Sequence, residues 1–181
     1  MAAQPRPRPR HVMEARVSSV ALARLLEHAA GGYPLAVCGL LVGDDDGAAL
    51  RVTRVIPCPN TAPPAERGQR CAIDPRAISN VRRALHGAPE RVLGIYRSEP
   101  DGAVGSPAAG IEPVRPWPGA VWLIVPVTGG DAGTPRAWWL DGADVASARE
   151  LALRPFHPSA GLAPCPDPVA AARGEAREEA R

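Results

Sequence analysis

Apolar and polar positions along the chain change period several times, and each change marks an element. From Ser18 to Ala29 the apolar residues Val20, Leu22, Leu25 and Leu26 recur at helical spacing, and Gly31-Gly32 closes the pattern. That predicts a first helix. The continuous apolar run at 35–43, "LAVCGLLVG", predicts a buried strand, and the acidic turn at 44–47 leads to a second strand through Val52 and Val55, so the two form a hairpin. The stretch 58–70 is rich in Pro, Asn and Gly and reads as a surface loop. Asp74 as N-cap, Pro75 in the first turn, and Ile78, Val81 and Leu85 on one face predict a second helix ending at Gly87.

A strand at 91–96, "RVLGIY", precedes an aperiodic stretch at 98–119, and long irregular loops within a compact domain are often functional. Two further strands, "AVWLIVPV" and "RAWWLDG", flank the Gly-rich turn "TGGDAGTP". After residue 142 the pattern weakens, and the Ala-, Arg- and Glu-rich end from 168 onward reads either as a short solvated helix or as disordered. Helices interspersed with strands and hairpins predict an α/β domain with helices on a mixed sheet.

A length of 181 residues suits one domain with a real core. Apolar runs of about eight residues are far below what a membrane helix needs. The start, "MAAQPRPRPRH", lacks the apolar segment of a secretory signal, so a cytoplasmic location is expected. Its alternating Pro and Arg predict a solvated arm, with docking to an SH3-like domain as the alternative. All 21 basic residues are arginine, and the chain offers no lysine amine for an isopeptide bond. A net charge of +2 without arginines interleaved among aromatics excludes a nucleic-acid partner.

Cys38, Cys58, Cys71 and Cys165 show no C-x-x-C pair, and Cys38 reads as a small core residue. His11, His28, His86 and His157 are equally scattered, with His28 and His86 near helix C-termini where a positive charge is favourable. Arg97 and Glu99, two residues apart on one strand face in "GIYRSEPDG", form the most distinctive pair of charges.

Five segments in order, "YPLAVCGLLVG", "IPCPNTAP", "RCAIDPRAISNVRRAL", "VLGIYRSEPDG" and "WPGAVWLIVPV" followed by "RAWWLDG", resemble the JAB/MPN domain, the JAMM metallopeptidase fold, and especially its small bacterial members. The resemblance implies an MPN/JAMM-like (cytidine-deaminase-like) mixed β-sheet flanked by helices over residues 13–142. A flexible basic arm at 1–12 would precede it and a C-terminal extension at 143–181 would follow.

Active members hydrolyse isopeptide or peptide bonds beside the C-terminus of ubiquitin-like or sulfur-carrier proteins. Two histidines of an H-x-H-P motif and a later aspartate hold zinc, which lowers the pKa of its bound water to about 7, and a glutamate on the first strand is the general base. Here Arg97, Ser98, Glu99 and Pro100 stand at H-x-H-P, Gly110 at the aspartate, and Ala36, beside apolar Leu35, at the glutamate. The serine that precedes the aspartate falls on Pro107, with Ser106 adjacent. An arginine cannot coordinate a metal.

By this resemblance the chain is a catalytically inactive MPN-type member without a metal cofactor. It binds a protein partner, either a ubiquitin-like (β-grasp) protein or an MPN-domain homologue, through a groove floored by Arg97, Ser98, Glu99, Asp101 and Ser106. The partner tail would add as an edge strand. Three alternatives stand beside this reading. Zinc held by Glu99, Asp101 and a histidine, with His157 the candidate, would keep a hydrolase. Glu99, Asp101 and Glu112 would make an oxygen-rich cation site, against solvation or pairing with Arg97 or Arg115. A structural subunit would use Trp138 and Trp139, which point to opposite faces of a strand, although core packing on both sides is the simpler expectation.

Overall fold

The computed structural model describes residues 14–47, 49–102, 119–140 and 148–158. Its elements are β1 (Glu14–Ser18), α1 (Ser19–Gly32), β2 (Cys38–Asp45), β3 (Ala49–Cys58), a single 3-10 turn (Pro64–Glu66), α2 (Pro75–Ala84), β4 (Arg91–Pro100), β5 (Ala120–Thr128), β6 (Asp131–Ala132), β7 (Arg136–Leu140) and β8 (Arg149–Phe156). The strands lie in the order β4-β2-β3-β1-β8-β7-β5-β6, and β4 also pairs with β5. Seven strands therefore close on themselves, parallel at β1–β3, β1–β8 and β4–β5 and antiparallel elsewhere. The architecture is mixed α/β, as the alternation of periods predicted. No helix of the described residues is long and apolar enough to cross a membrane.

Side chains alternate between two cores, as period-two strands require. One gathers Ala21, Leu25 and Ala29 of α1 against Leu41, Val52, Tyr96, Leu123 and Trp139. The other gathers Ile78 and Val81 of α2 against Leu40, Val42, Ile56, Ile95 and Trp122. Trp138 packs at the edge of the α2 core while Trp139 is buried in the α1 core, so core packing on both faces accounts for the tryptophan pair. Ser18 caps α1 by accepting from the Ala21 N–H, and Asp74 caps α2 by accepting from that of Arg76. Val20, assigned above to the apolar face of α1, is exposed instead.

Several differences from the sequence reading follow, and the first two move chemistry-bearing residues. β4 runs to Pro100 rather than stopping at 96, so Arg97, Ser98 and Glu99 are strand residues between β2 and β5. β2 starts at Cys38, leaving Ala36 in the segment before it. Residues 149–156, where the pattern weakens, are a strand, because their backbone is claimed by β1 on one side and β7 on the other. β1, a five-residue strand ahead of α1, has too few alternations to stand out in the sequence. The arm at 1–12, Ser106, Pro107, Gly110, Glu112, Arg115, His11, Cys165 and the chain beyond 158 lie outside the described residues.

Candidate functional site

Pairing on both sides fixes Arg97: its backbone lies opposite Cys38 of β2 and Ile124 of β5, and the residue is 3% exposed. Strand alternation puts Glu99 on the same face, and the Arg97 guanidinium donates through Nη2 to Glu99 Oε1. Both side chains are nearly enclosed. The carboxylate thus lies against a permanent cation.

Ser98 points the other way. Its Oγ accepts from the Val37 N–H at 2.9 Å while its own N–H donates to the Val37 carbonyl at 2.9 Å. The residue fastens the segment entering β2 to β4, and the expectation that it shares one floor with Arg97 and Glu99 fails on strand alternation. Asp101 leaves the strand with φ of 48°, and its carboxylate accepts from the Tyr33 hydroxyl at 2.9 Å and from the Gly129 N–H at 3.3 Å. That hydrogen bond, reinforced by the negative charge, pushes the Tyr33 hydroxyl above its ordinary pKa. Asp101 thereby links the end of α1 to the β5–β6 turn.

Ala36 is buried, and its methyl carries no proton-transfer chemistry. Its N–H donates to the Arg67 carbonyl at 2.7 Å, and its carbonyl accepts from Asn60 Nδ2 at 2.9 Å. Asn60 also donates to the Arg70 carbonyl, while its Oδ1 accepts from the N–H groups of Ala62 and Ala72. One side chain thereby holds the loop 59–72 in shape and against Ala36. The sequence reading took this asparagine only as loop composition. The signal available was an asparagine among prolines, a residue suited to bonding local backbone.

Three cysteines that sequence spacing left unrelated come together. Cys38 and Cys58 are direct cross-strand partners, and Cys38 Sγ lies 3.9 Å from the carbonyl oxygens of both Cys58 and Ala72. Asn60 Nδ2 donates to Cys71 Sγ at 3.7 Å. The Cys38 thiol is pushed far above its ordinary pKa, first by hydrogen bonding to Cys71 and then by burial, and burial pushes Cys58 up to about 12. All three are free thiols.

His28 is not the favourable helix-end charge expected above. Burial lowers its pKa, and Nδ1 lies 2.8 Å from the Tyr96 hydroxyl with the rings edge to face, so the neutral imidazole is preferred. Gly39 makes room for that tyrosine, because a Cβ there would lie 2.4 Å from its ring. His86 and His157 are exposed. Among the described residues no group of three or more His, Cys, Asp and Glu side chains is arranged to hold a metal ion. The donors at hand do not fit zinc: a guanidinium and a methyl stand at two of the implied positions, and the one carboxylate is engaged by that guanidinium.

No family model matches the chain. Over 111 residues, 61% of this chain and 75% of the relative, it is 37% identical to a desampylase of Haloferax volcanii. Among solved structures, a protein of Desulfitobacterium hafniense superposes with a TM-score of 0.60 at 19% identity, covering 80% of this chain and 94% of that one. A protein of Salinibacter ruber superposes with a TM-score of 0.57 at 27% identity, covering 81% and 95%.

Proposed function

Since the chain belongs to the family of that desampylase, the JAB/MPN (JAMM) family, we propose that it is a protein-binding member that engages a ubiquitin-like partner without metal-dependent hydrolysis. The observation that carries this reading is the buried Arg97 guanidinium on β4, paired with Glu99 where the family resemblance expects two zinc ligands. Ala36 in place of a base supports it too, and among the described residues no group of three metal-ligating side chains is arranged to hold the ion that would activate a water. The closed mixed sheet supports an MPN/JAMM-like frame for this role.

The partner's tail meets a different surface from an open sheet edge. Closure pairs the seven longer strands on both sides over at least part of their length, so strand addition is left part-length segments such as β3 beyond its pairing with β1 at Val52. Val37, with both backbone groups bonded to Ser98, offers none. Recognition then falls to the loop 59–72 and to Leu35, which is 47% exposed beside buried Ala36.

The test is binding of small β-grasp proteins to the purified protein, with and without a chelator, alongside cleavage of a linear ubiquitin-like fusion. Expected are binding that a chelator leaves unchanged, weakening of that binding by Leu35→Asp, and no cleavage. Chelator-sensitive cleavage would overturn the proposal, and so would the absence of binding to every β-grasp protein tried.

A further inference from the structure

The loop 59–72 and strand β2 meet through sulfur as well as through Asn60. Cys38 is rigid and buried on β2, 3.9 Å by its Sγ from the carbonyl of Ala72. Cys71, immediately before Ala72, is half-buried in the loop, and its Sγ accepts from Asn60. Cys38 Sγ thus reaches the backbone of the residue next to Cys71, which makes the two thiols near neighbours across the loop–strand junction. The neighbouring Cys58 offers a second thiol on β3 opposite Cys38.

We propose that Cys38 and Cys71 are a reversible thiol modification site, forming a disulfide that clasps the loop 59–72 onto β2 beside Arg97. The more accessible Cys71 sulfur attacks a low-molecular-weight disulfide such as oxidised glutathione, forming a mixed disulfide and releasing one small thiol. Cys38 sulfur then displaces the second small thiol. Two protons and two electrons leave the protein with the two reduced molecules, and one sulfur–sulfur bond has formed in the protein for the one broken in the oxidant. Burial of Cys38 slows the closing step, and an excess of the oxidised small molecule drives it.

The inference does not depend on the proposed function, since it concerns the state of two thiols and not the partner. The three cysteines fall in separate tryptic peptides, 25–51, 55–67 and 71–76, so each pairing has its own signature. The native full chain is incubated with oxidised glutathione, alkylated, digested without reduction and mapped by mass spectrometry, with Tm measured before and after. Expected is a crosslink of 25–51 to 71–76, a rise in Tm of about 5–10 °C, and reversal of both by dithiothreitol. Cys71→Ala, at a half-buried loop position, abolishes both changes, while Cys58→Ala leaves the crosslink in place. Overturning results are a stable mixed disulfide at Cys71 without closure, a crosslink of Cys38 to Cys58 instead, or a Cys38–Cys71 crosslink that leaves Tm unmoved.

Discussion

Arg97–Glu99 and Arg136–Glu150 pair the same two functional groups, yet one pair is enclosed and the other lies on the rim. In the first the side chains are 4% and 10% exposed, and in the second 38% and 46%. Arg136 reaches both carboxylate oxygens at 2.7 Å and lies over the Trp138 ring, a better geometry than most surface pairs have. Water and salt nevertheless screen it, and its removal is mild. The enclosed pair behaves oppositely: it contributes little net stability relative to a well-packed apolar replacement, but deleting one partner leaves a charge that water cannot reach. Geometry alone does not rank ion pairs; enclosure does.

The largest effect therefore belongs to Glu99→Ala, expected to destabilise by about 3–5 kcal/mol in urea unfolding. The paired replacement of Arg97 by Met and Glu99 by Leu should recover most of that loss. If the double variant is no better than the single one, the enclosed pair stabilises outright and the contrast with the rim fails.

Asn60→Ala comes next, at about 2 kcal/mol, because the backbone groups of Ala36, Ala62, Arg70 and Ala72 lose their partner together. Faster amide exchange at Ala62 and Ala72, ahead of the β-strands, would show the loop opening first.

The His28 contribution is smaller and has a sign. Its folded pKa lies below the ordinary 6.5, so the unfolded chain takes up the proton first. The stability is complete above about pH 6.5 and is lost as pH falls through the lower folded value. His28→Gln should flatten the stability profile in that window, and an unchanged slope would assign it to another group.

Least of all is expected from Glu150→Gln. Arg136 holds the Glu150 carboxyl below its ordinary 4.5, so its contribution is present above that pH and fades as acid takes the carboxylate. Any difference from the parent protein in thermal unfolding at neutral pH should vanish in high salt.

How much of this was legible beforehand depended on range. Both helices announced themselves, since Leu25 and Ile78 recur at helical spacing and Asp74 caps the second, all local signals. The β2–β3 hairpin followed from its turn. The face shared by Arg97 and Glu99 was readable from their two-residue spacing, but their enclosure was not, because it is made by β2 and β5 from elsewhere in the chain. That Ser98 faces away from Arg97 and Glu99 follows from the same spacing, whereas its partner Val37, 61 positions back, does not. The cysteine cluster joins residues 38, 58 and 71 only through the hairpin and the loop that Asn60 shapes, and His28 meets Tyr96 across 68 positions. Pairings of that kind are decided by topology, which local pattern does not carry.

The place of β8 bears on how the molecule is made. Ala15 pairs with Leu153 in a parallel ladder, so the seam that closes the sheet joins segments from opposite ends of the described chain. Synthesis delivers β1 first and β8 last, and until 149–156 have left the ribosome both β1 and β7 present an unpaired edge. Closing so distant a contact is slow compared with forming either helix, which makes docking of β8 the late step of folding. The nascent chain therefore passes through an open-sheet interval, and its length is governed by the rate at which the final strand arrives.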